Sequence, residues 1–477
     1  LGQEIDHYRF SERDFSTFTQ RLAEETALLA EWFREGRFAK GPKTAGFELE
    51  AWLVDPDLHP APINEAFMKA LDSDLVAPEL ARFNVELNNL PQPLRGAGLQ
   101  RLERDMRTHW AHCQQVAEGL DAHLLMIGIL PTLKPGELTL RNMSPLNRYR
   151  ALNEQVMRQR EGRRLELDIA GKEHLRMKQR SVMLESAATS FQVHLKVPQD
   201  AAVRLFNASI IASAPMVAAS ANSPYLFGRD LWDETRIPLF EQAVEVGGYE
   251  GAARGPLRRV TFGSGYVHKS LMECFQENLD HYPVLLPRLQ DEPPALLPHL
   301  RLQNGTIWRW NRPLIGFEAD GTPHLRIEHR VVPGGPTMAD SMANAAFYYG
   351  LAQSLASAEI PPELLFEFAT ARDNFYAAAQ RGLEAQLHWI DGTRSGARQL
   401  ILETLLPLAS GGLRSLGVEA RVTKRYLGII EQRVDSARTG TAWQRRFIAH
   451  YGPDFAAMTR AYAERQDSGA PVHEWDH

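Results

Sequence analysis

Two cysteines, Cys113 and Cys274, are all that 477 residues contain. So few exclude a disulfide framework and fit a reducing compartment, so a cytoplasmic protein is expected. Cys113 falls on the apolar stripe of a predicted helix and reads as a packing residue rather than a nucleophile. The N-terminus is acidic and polar and shows no secretory signal. The longest apolar run, Leu205–Ala221, contains Asn207, three serines and Pro215. That is too polar for a bilayer and reads as a buried helix, so no membrane partner is expected. No lysine–arginine run dominates any segment and the formal charge is −6, which argues against nucleic acid as a partner. The most basic stretches, Arg158–Arg164 and Arg254–Arg259, read as solvated faces, with a phosphate-facing role for the second as the alternative. A GxxxxGKS/T loop is absent, and no glycine-rich dinucleotide fingerprint follows a strand, so the common nucleotide folds are unsupported. The glycines of Thr261–Val267 lack such spacing and read as a turn.

What the chain does have is four stretches that alternate apolar and catalytic-type residues: Gly46–Asp55, Arg82–Asn89, Ser190–Val197 and His324–Val332. Strand side chains alternate with a period of two, so residues i and i+2 share a face about 6.5–7 Å apart. One face carries Phe47/Leu49/Ala51/Leu53, Phe83/Val85/Leu87, Phe191/Val193/Leu195/Val197 and Leu325/Ile327/Val331. The other carries Glu48/Glu50, Asn84/Glu86/Asn88, Gln192/His194/Lys196 and Arg326/Glu328/Arg330. Sharing one apolar core would require the acid-bearing strands to lie adjacent. Four carboxylates gathered this way repel one another unless cations neutralise them. Carboxylate oxygens suit Mg²⁺ or Mn²⁺, with His194 as a further ligand. Such ions would bridge nucleotide phosphates, and the arginines would supply fixed positive charge for a transferring phosphoryl group. Arg326 also reads as a salt-bridge partner and Lys196 as solvated.

Around these strands the periodicity predicts helices over Ser11–Gly36, Ala66–Ala70, Leu99–Leu120, Asp200–Ala221 and Leu231–Val246. His123–Leu130 reads as a continuous apolar strand, and Pro131–Lys172 as irregular with one helix. Thr306–Val332 reads as a hairpin turning at Asp320-Gly321. Beyond Pro336 the spacing is helical over Met338–Ser357, Pro361–Leu387, Arg398–Leu408, Glu419–Asp435 and Ala442–Gln466. The expectation is an α+β protein: an antiparallel or mixed sheet with the site on one face, helices on the other, and a helical region over 337–477. No linker interrupts it, so residues 1–477 are expected to form one domain.

The strings GFELE, FNVELN, FQVHL, ANSPYLFG with the later WDETR, NGTIWRWNRP and HLRIEHRVVPGGPT resemble the glutamate–cysteine ligase type 2 family. The resemblance runs from Gly46 to Asn344 and continues weakly through Arg372–Glu384. It implies a glutamine-synthetase-like fold and ATP- and Mg²⁺-dependent joining of the glutamate side-chain carboxylate to an amine, cysteine in the name-giving members. By motif, Glu48, Glu50, Glu86, His194 and Glu328 would hold metal. Arg330 would face the transferring phosphate, beside Glu328. Arg236 would anchor an amino-acid carboxylate, with Asn222 and Ser223 shaping its pocket. Gln192 would contact substrate or support a ligand, Trp308 would wall a pocket, and Trp310 would be packing. Trp443, in Thr439–Trp443, would close the site or follow a helix cap. One departure is Val331-Val332-Pro333, where several branches of the family place an acid; it bears on the amine acceptor. The alternatives are a ligase with a different amine, a metal-dependent hydrolase without ATP, or a metabolite-binding protein.

Overall fold

The structure, a computed structural model, describes residues 4–246 and 258–476. Helix α1 (Glu12–Glu35) begins where the Ser11 side chain accepts from the Asp14 amide and Asp14 returns a bond to the Ser11 amide. It ends at Gly36, whose φ of 66° lets the chain turn away.

Strand β1 (Thr44–Val54) is the hub of an eight-stranded sheet. β3 (Asn84–Asn88) and β8 (Phe191–Val197) flank it antiparallel, and β4 (Gln92–Pro93) and β5 (His123–Leu125) pair with its two ends. β2 (Val76–Pro78) lies beyond β3; beyond β8 come β14 (Pro323–His329) and then β13 (Asn311–Phe317). Four two-stranded pairs stand apart: β6 (Leu165–Ala170) with β7 (His174–Gln179), β9 (Tyr225–Leu226) with β10 (Arg229–Asp230), β11 (Val260–Thr261) with β12 (Trp308–Arg309), and β15 (Gln386–His388) with β16 (Arg394–Gly396).

Between the early strands run α2 (Asn64–Leu71), α3 (Gly98–Glu118) and α4 (Asn147–Gln159). After β8 come α5 (Gln199–Ser220), α6 (Arg236–Ala243), α7 (Met272–His281) and α8 (Pro298–Gly305). The C-terminal part holds α9 (Met338–Ala356), α10 (Pro362–Leu365), α11 (Phe368–Arg381), α12 (Ala397–Leu400), α13 (Leu406–Ser415), α14 (Ala420–Asp435), α15 (Gly440–Tyr451) and α16 (Phe455–Ser468). The predicted apolar residues of the sheet are buried, and α5 and α9 pack on that face, with Tyr349 of α9 lying 6.3 Å from Phe47. Among the described residues only α5 is long and apolar enough to cross a membrane, and most of it is buried in protein. Buried apolar side chains form one continuous core from Ile5 to Trp475.

Several elements differ from the sequence-based expectation. Only the first three residues of His123–Leu130 are strand, because side chains take over the backbone groups beyond them. Ile127 O accepts from Trp52 Nε1 and Thr189 Oγ1, while Met126 bonds Gln466 and Tyr462. Within Pro131–Lys172, β6 forms a strand, its Leu165, Leu167 and Ile169 buried in alternation. Helix α6 is shorter than predicted because Trp232–Thr235 is a turn, with the Trp232 amide bonded to Thr235 Oγ1. The helical region is interrupted by the β15–β16 hairpin, and Ala442–Gln466 is split at Gly452. Thr439 caps α15 by accepting from the Ala442 amide. Trp443 is buried against Tyr462 and Trp475, so it belongs to the core. Of the two basic stretches, Arg158, Arg163 and Arg164 are exposed, residues 254–257 lie outside the described residues, and buried Arg259 donates to Thr306.

In the helical region α9 and α13 cross at glycines. A Cβ at Gly412 would overlap Gly350 O, and one at Gly350 would overlap Ala409 O, so only hydrogen at both positions allows this approach. Arg433 of α14 then locks the assembly, pairing with Asp340 of α9 at 2.8 Å and donating to Ala219 O of α5. Gly412→Ala is expected to lower the unfolding free energy by about 1–3 kcal/mol or more by forcing the helices apart. Urea denaturation showing an unchanged midpoint would contradict this packing.

Candidate active site

The polar face of the sheet is assembled by register. Glu328 pairs with His194, His194 with Gly46, and Glu48 with both Gln192 and Asn88, while Glu50 pairs with Glu86. The acid-bearing strands are thus not all adjacent: β8 lies between β1 and β14, and its His194 fills the gap. Glu48, His194 and Glu328 bring one ligand atom each within 4.8 Å of one another. His194 Nε2 lies 3.3 Å from Glu48 and 3.6 Å from Glu328, yet neither ring nitrogen completes a hydrogen bond among the described residues.

Glu328 is 1% exposed and gripped from two sides. Arg312, across the β13–β14 hairpin, holds both its oxygens at 2.8 and 3.1 Å, and Arg330 Nη1 lies 3.0 Å from Oε2. Burial works to raise Glu328, but Arg312, Arg330 and His194 hold it far below the ordinary carboxylate range. Burial likewise opposes ionisation of Glu48, and His194 and Arg330 outweigh it and lower its pKa. Two carboxylates kept ionised beside a buried, unbonded imidazole form an oxygen–oxygen–nitrogen donor set that fits Mg²⁺ or Mn²⁺. Glu328 Oε1, which accepts only from Arg312, retains a lone pair, while both of those on Oε2 are taken by Arg312 and Arg330.

Glu50 and Glu86 share the face but stand outside that trio. Glu50 accepts from Gln192 Nε2 at 2.9 Å and from the Ser190 amide at 2.7 Å, which turns it away from the trio. Burial and then Glu79 push it up to about 7. Glu86 accepts from Asn88, and burial, Glu48 and Glu79 push it well above the ordinary range. A nearby divalent cation would relieve this crowding.

Two spaces lie on this face, and Glu48 and Glu328 of the trio line the first while Arg330, bonded to Glu328, lines the second. The first is a cleft of about 450 Å³ containing Glu48, Glu86 and Glu328, lined by Arg148, Arg288, Arg301, Arg312 and Arg326. The second is a chamber of about 20 Å³ lined by Glu50, Glu185, Ser190, Arg236, Phe240, Trp310 and Arg330. Gln192 links two residues of the chamber, donating to Glu50 and accepting from Arg330.

A family model described as glutamate-cysteine ligase family 2 matches residues 44–467. The chain belongs to that family. No curated protein matches it. Among solved structures it is similar in fold to a glutamate–cysteine ligase from Francisella tularensis in complex with AMP, at 12% identity and a TM-score of 0.56, with 90% of each chain covered. A bifunctional glutathione synthetase from Pasteurella multocida aligns at 11% identity and a TM-score of 0.52, over 93% of this chain and 55% of that one. The α+β architecture implied by the resemblance is the one observed, and the family supports a carboxylate–amine ligase.

In this family 2 ligase, several expected site residues sit behind the cavity surface. Asn222 is fully buried and bonds Gly334 O, Tyr462 OH and Gln444. Ser223 Oγ accepts the Arg236 amide. Both residues support Arg236 instead of lining either space. Arg236 bonds Glu234, Arg330 O and Val331 O, leaving one Nη1–H, and lies 5.3 Å over Trp310. Trp310, not Trp308, walls the chamber. Trp308 belongs to the separate β12, where it packs edge-on to Phe240, because the chain breaks between β12 and β13. Lys196 pairs with Glu318 at 2.8 Å and so is not free in solvent. Arg326 makes no ion pair among the described residues and faces the cleft. Thr261–Val267 contributes to the wall of a different cavity, beside Cys274 and Arg309.

Sequence reasoning missed Arg312, Glu185 and the cleft arginines Arg148, Arg288 and Arg301. Arg312 alone had a signal: the hairpin puts it opposite Glu328, though a register slip of one residue would have turned it away. Mg²⁺ or Mn²⁺ at about a hundredfold excess over Kd should stabilise the folded protein by about 2.7 kcal/mol. Glu48→Gln, which removes charge but little volume, should abolish that gain. An equal metal-induced rise in the melting midpoint of wild type and variant would refute the assignment.

Proposed function

We propose that the protein is an ATP-dependent ligase that joins the side-chain carboxylate of glutamate to the amine of cysteine through an acyl phosphate, in the first step of glutathione formation. The observation that carries this reading is the Glu48–His194–Glu328 trio on an arginine-lined cleft, with Arg330 joining Glu328 to a chamber that also holds Arg236. A carboxylate is a poor electrophile, so an amine can displace from it only a better leaving group. In the first step a carboxylate oxygen of glutamate attacks the γ-phosphorus of ATP and ADP leaves. In the second the amine attacks the acyl carbon, phosphate leaves, and the nitrogen loses a proton.

The cleft arginines offer donors for the polyphosphate. Arg330, held by Glu328 and Gln192, presents fixed positive charge where the γ-phosphoryl group moves, so little reorganisation is needed at reaction. Arg236 faces the chamber and would orient the amino-acid substrate, kept in place by Glu234 and its stacking on Trp310. Glu48, His194 and Glu328 would hold Mg²⁺ or Mn²⁺, which when bound neutralises phosphate oxygens and favours in-line transfer. We read residues 1–477 as a single ligase domain, supported by the continuous core, and place it in a reducing compartment, supported by two buried free cysteines.

ADP release should require ATP, Mg²⁺ and glutamate together with an amine acceptor, cysteine being preferred in a panel. Product from one substrate without nucleotide would instead identify a hydrolase. Arg236→Ala should raise the KM for glutamate by about tenfold or more and leave that for ATP little changed. It should also cost about 3–5 kcal/mol of stability, because Glu234 is left buried without its partner. Equal effects on both KM values would remove the anchoring role.

A further inference from the structure

Charge in the small chamber is unevenly balanced. Arg330 is already paired with Glu328 at 3.0 Å and Arg236 with Glu234 at 3.1 Å. Glu50 has its two hydrogen bonds from Gln192 and Ser190. Glu185, which enters from the turn Val182–Ala187 just before β8, has neither hydrogen bond nor ion pair among the described residues. Beside it Ser190 is 5% exposed, and its Oγ completes no hydrogen bond. A carboxylate and a hydroxyl without hydrogen-bond partners among the described residues, beside Glu50 and facing aromatic walls, want a cationic donor. The volume of about 20 Å³ has room for one or two water-sized groups, enough for an ammonium head with a neighbouring carboxylate oxygen, the rest of such a ligand lying outside it.

Resting on the ligase reading above, we propose that Glu185 receives the α-ammonium group of the carboxylate-donor substrate, with Ser190 Oγ as a second acceptor. The chamber then selects an α-amino acid over a simple dicarboxylate. Arg236, with its remaining Nη1–H, would meet the α-carboxylate of the same molecule, so that acid and arginine together read a zwitterion. The side-chain carboxylate would extend past Gln192 toward the trio. Trp310, its indole held by Glu241 at 3.0 Å, and Phe240 exclude water and so strengthen these contacts.

Glutamate and glutarate differ only in the α-ammonium group, so titration calorimetry with each, in the presence of Mg²⁺ and a non-hydrolysable ATP analogue, isolates this contact. Wild type should bind glutamate about ten- to a hundredfold more tightly than glutarate. Glu185→Gln should weaken glutamate to the level of glutarate and leave glutarate unchanged. Glu185→Asp should retain part of the preference, and Ser190→Ala should lose a smaller part. Since the Glu185 carboxylate has no hydrogen-bond or ion-pair partner among the described residues, the Gln variant should melt with the wild type. Equal binding of the two acids by wild type, binding of neither, or equal weakening of both in Glu185→Gln would overturn the assignment. A wild type that prefers glutamate but releases no ADP with any amine would support the ammonium site while removing the ligase reading.

Discussion

The register of β3, β1, β8 and β14 is the constraint on which everything else depends. Side chains alternate across a strand, so a slip of one residue between any two of these strands would bury acids in the core and turn Phe47, Phe191 or Leu325 to the cleft. The apolar face, covered by α5 and α9, makes such a slip prohibitive and thereby delivers Glu48, His194 and Glu328 to one point. Stability and chemistry are opposite faces of one pairing pattern.

On that face the charges are arranged in pairs that divide the surface. Arg312 and Arg330 both converge on Glu328, which keeps a buried carboxylate ionised and two guanidiniums aimed. Gln192 uses its two ends to hold Arg330 and Glu50, both of which line the small chamber, while Glu48 and Glu328 line the arginine-rich cleft. Behind the chamber, Asn222, Ser223 and Glu234 hold Arg236, so the NSP and WDETR segments act through this arginine. The helical region reaches in the same way: Tyr462 and Gln444 hold Asn222, and Gln466 ties down the loop after β5.

Much of this was legible in the chain. The alternation of GFELE, FNVEL, FQVHL and LRIEH identified the strands and their polar sets, and Ser11, Asp14 and Gly36 marked the ends of α1. The failures have physical causes. His123–Leu130 has strand composition, but its backbone bonds went to side chains from residues 52, 189, 462 and 466, which no local pattern reveals. Of the expected metal set only Glu48, His194 and Glu328 come within 4.8 Å of one another, because parity tells which face a residue occupies and not how far its carboxylate reaches. Glu50 is drawn aside by Gln192 and Ser190, neither a sequence neighbour. Trp308 and Trp310 share parity, and only the break between β12 and β13 decides that Trp310 walls the chamber.

By itself, then, the sequence determined which residues form strands, which side of each strand is polar, and that hard oxygen ligands and arginines share that side, because alternation is a local property of the backbone. Tertiary structure alone decided which acids meet, which arginine neutralises which acid, and that Glu185 has no hydrogen-bond partner among the described residues. Those outcomes depend on strand order and on side chains far apart in the chain.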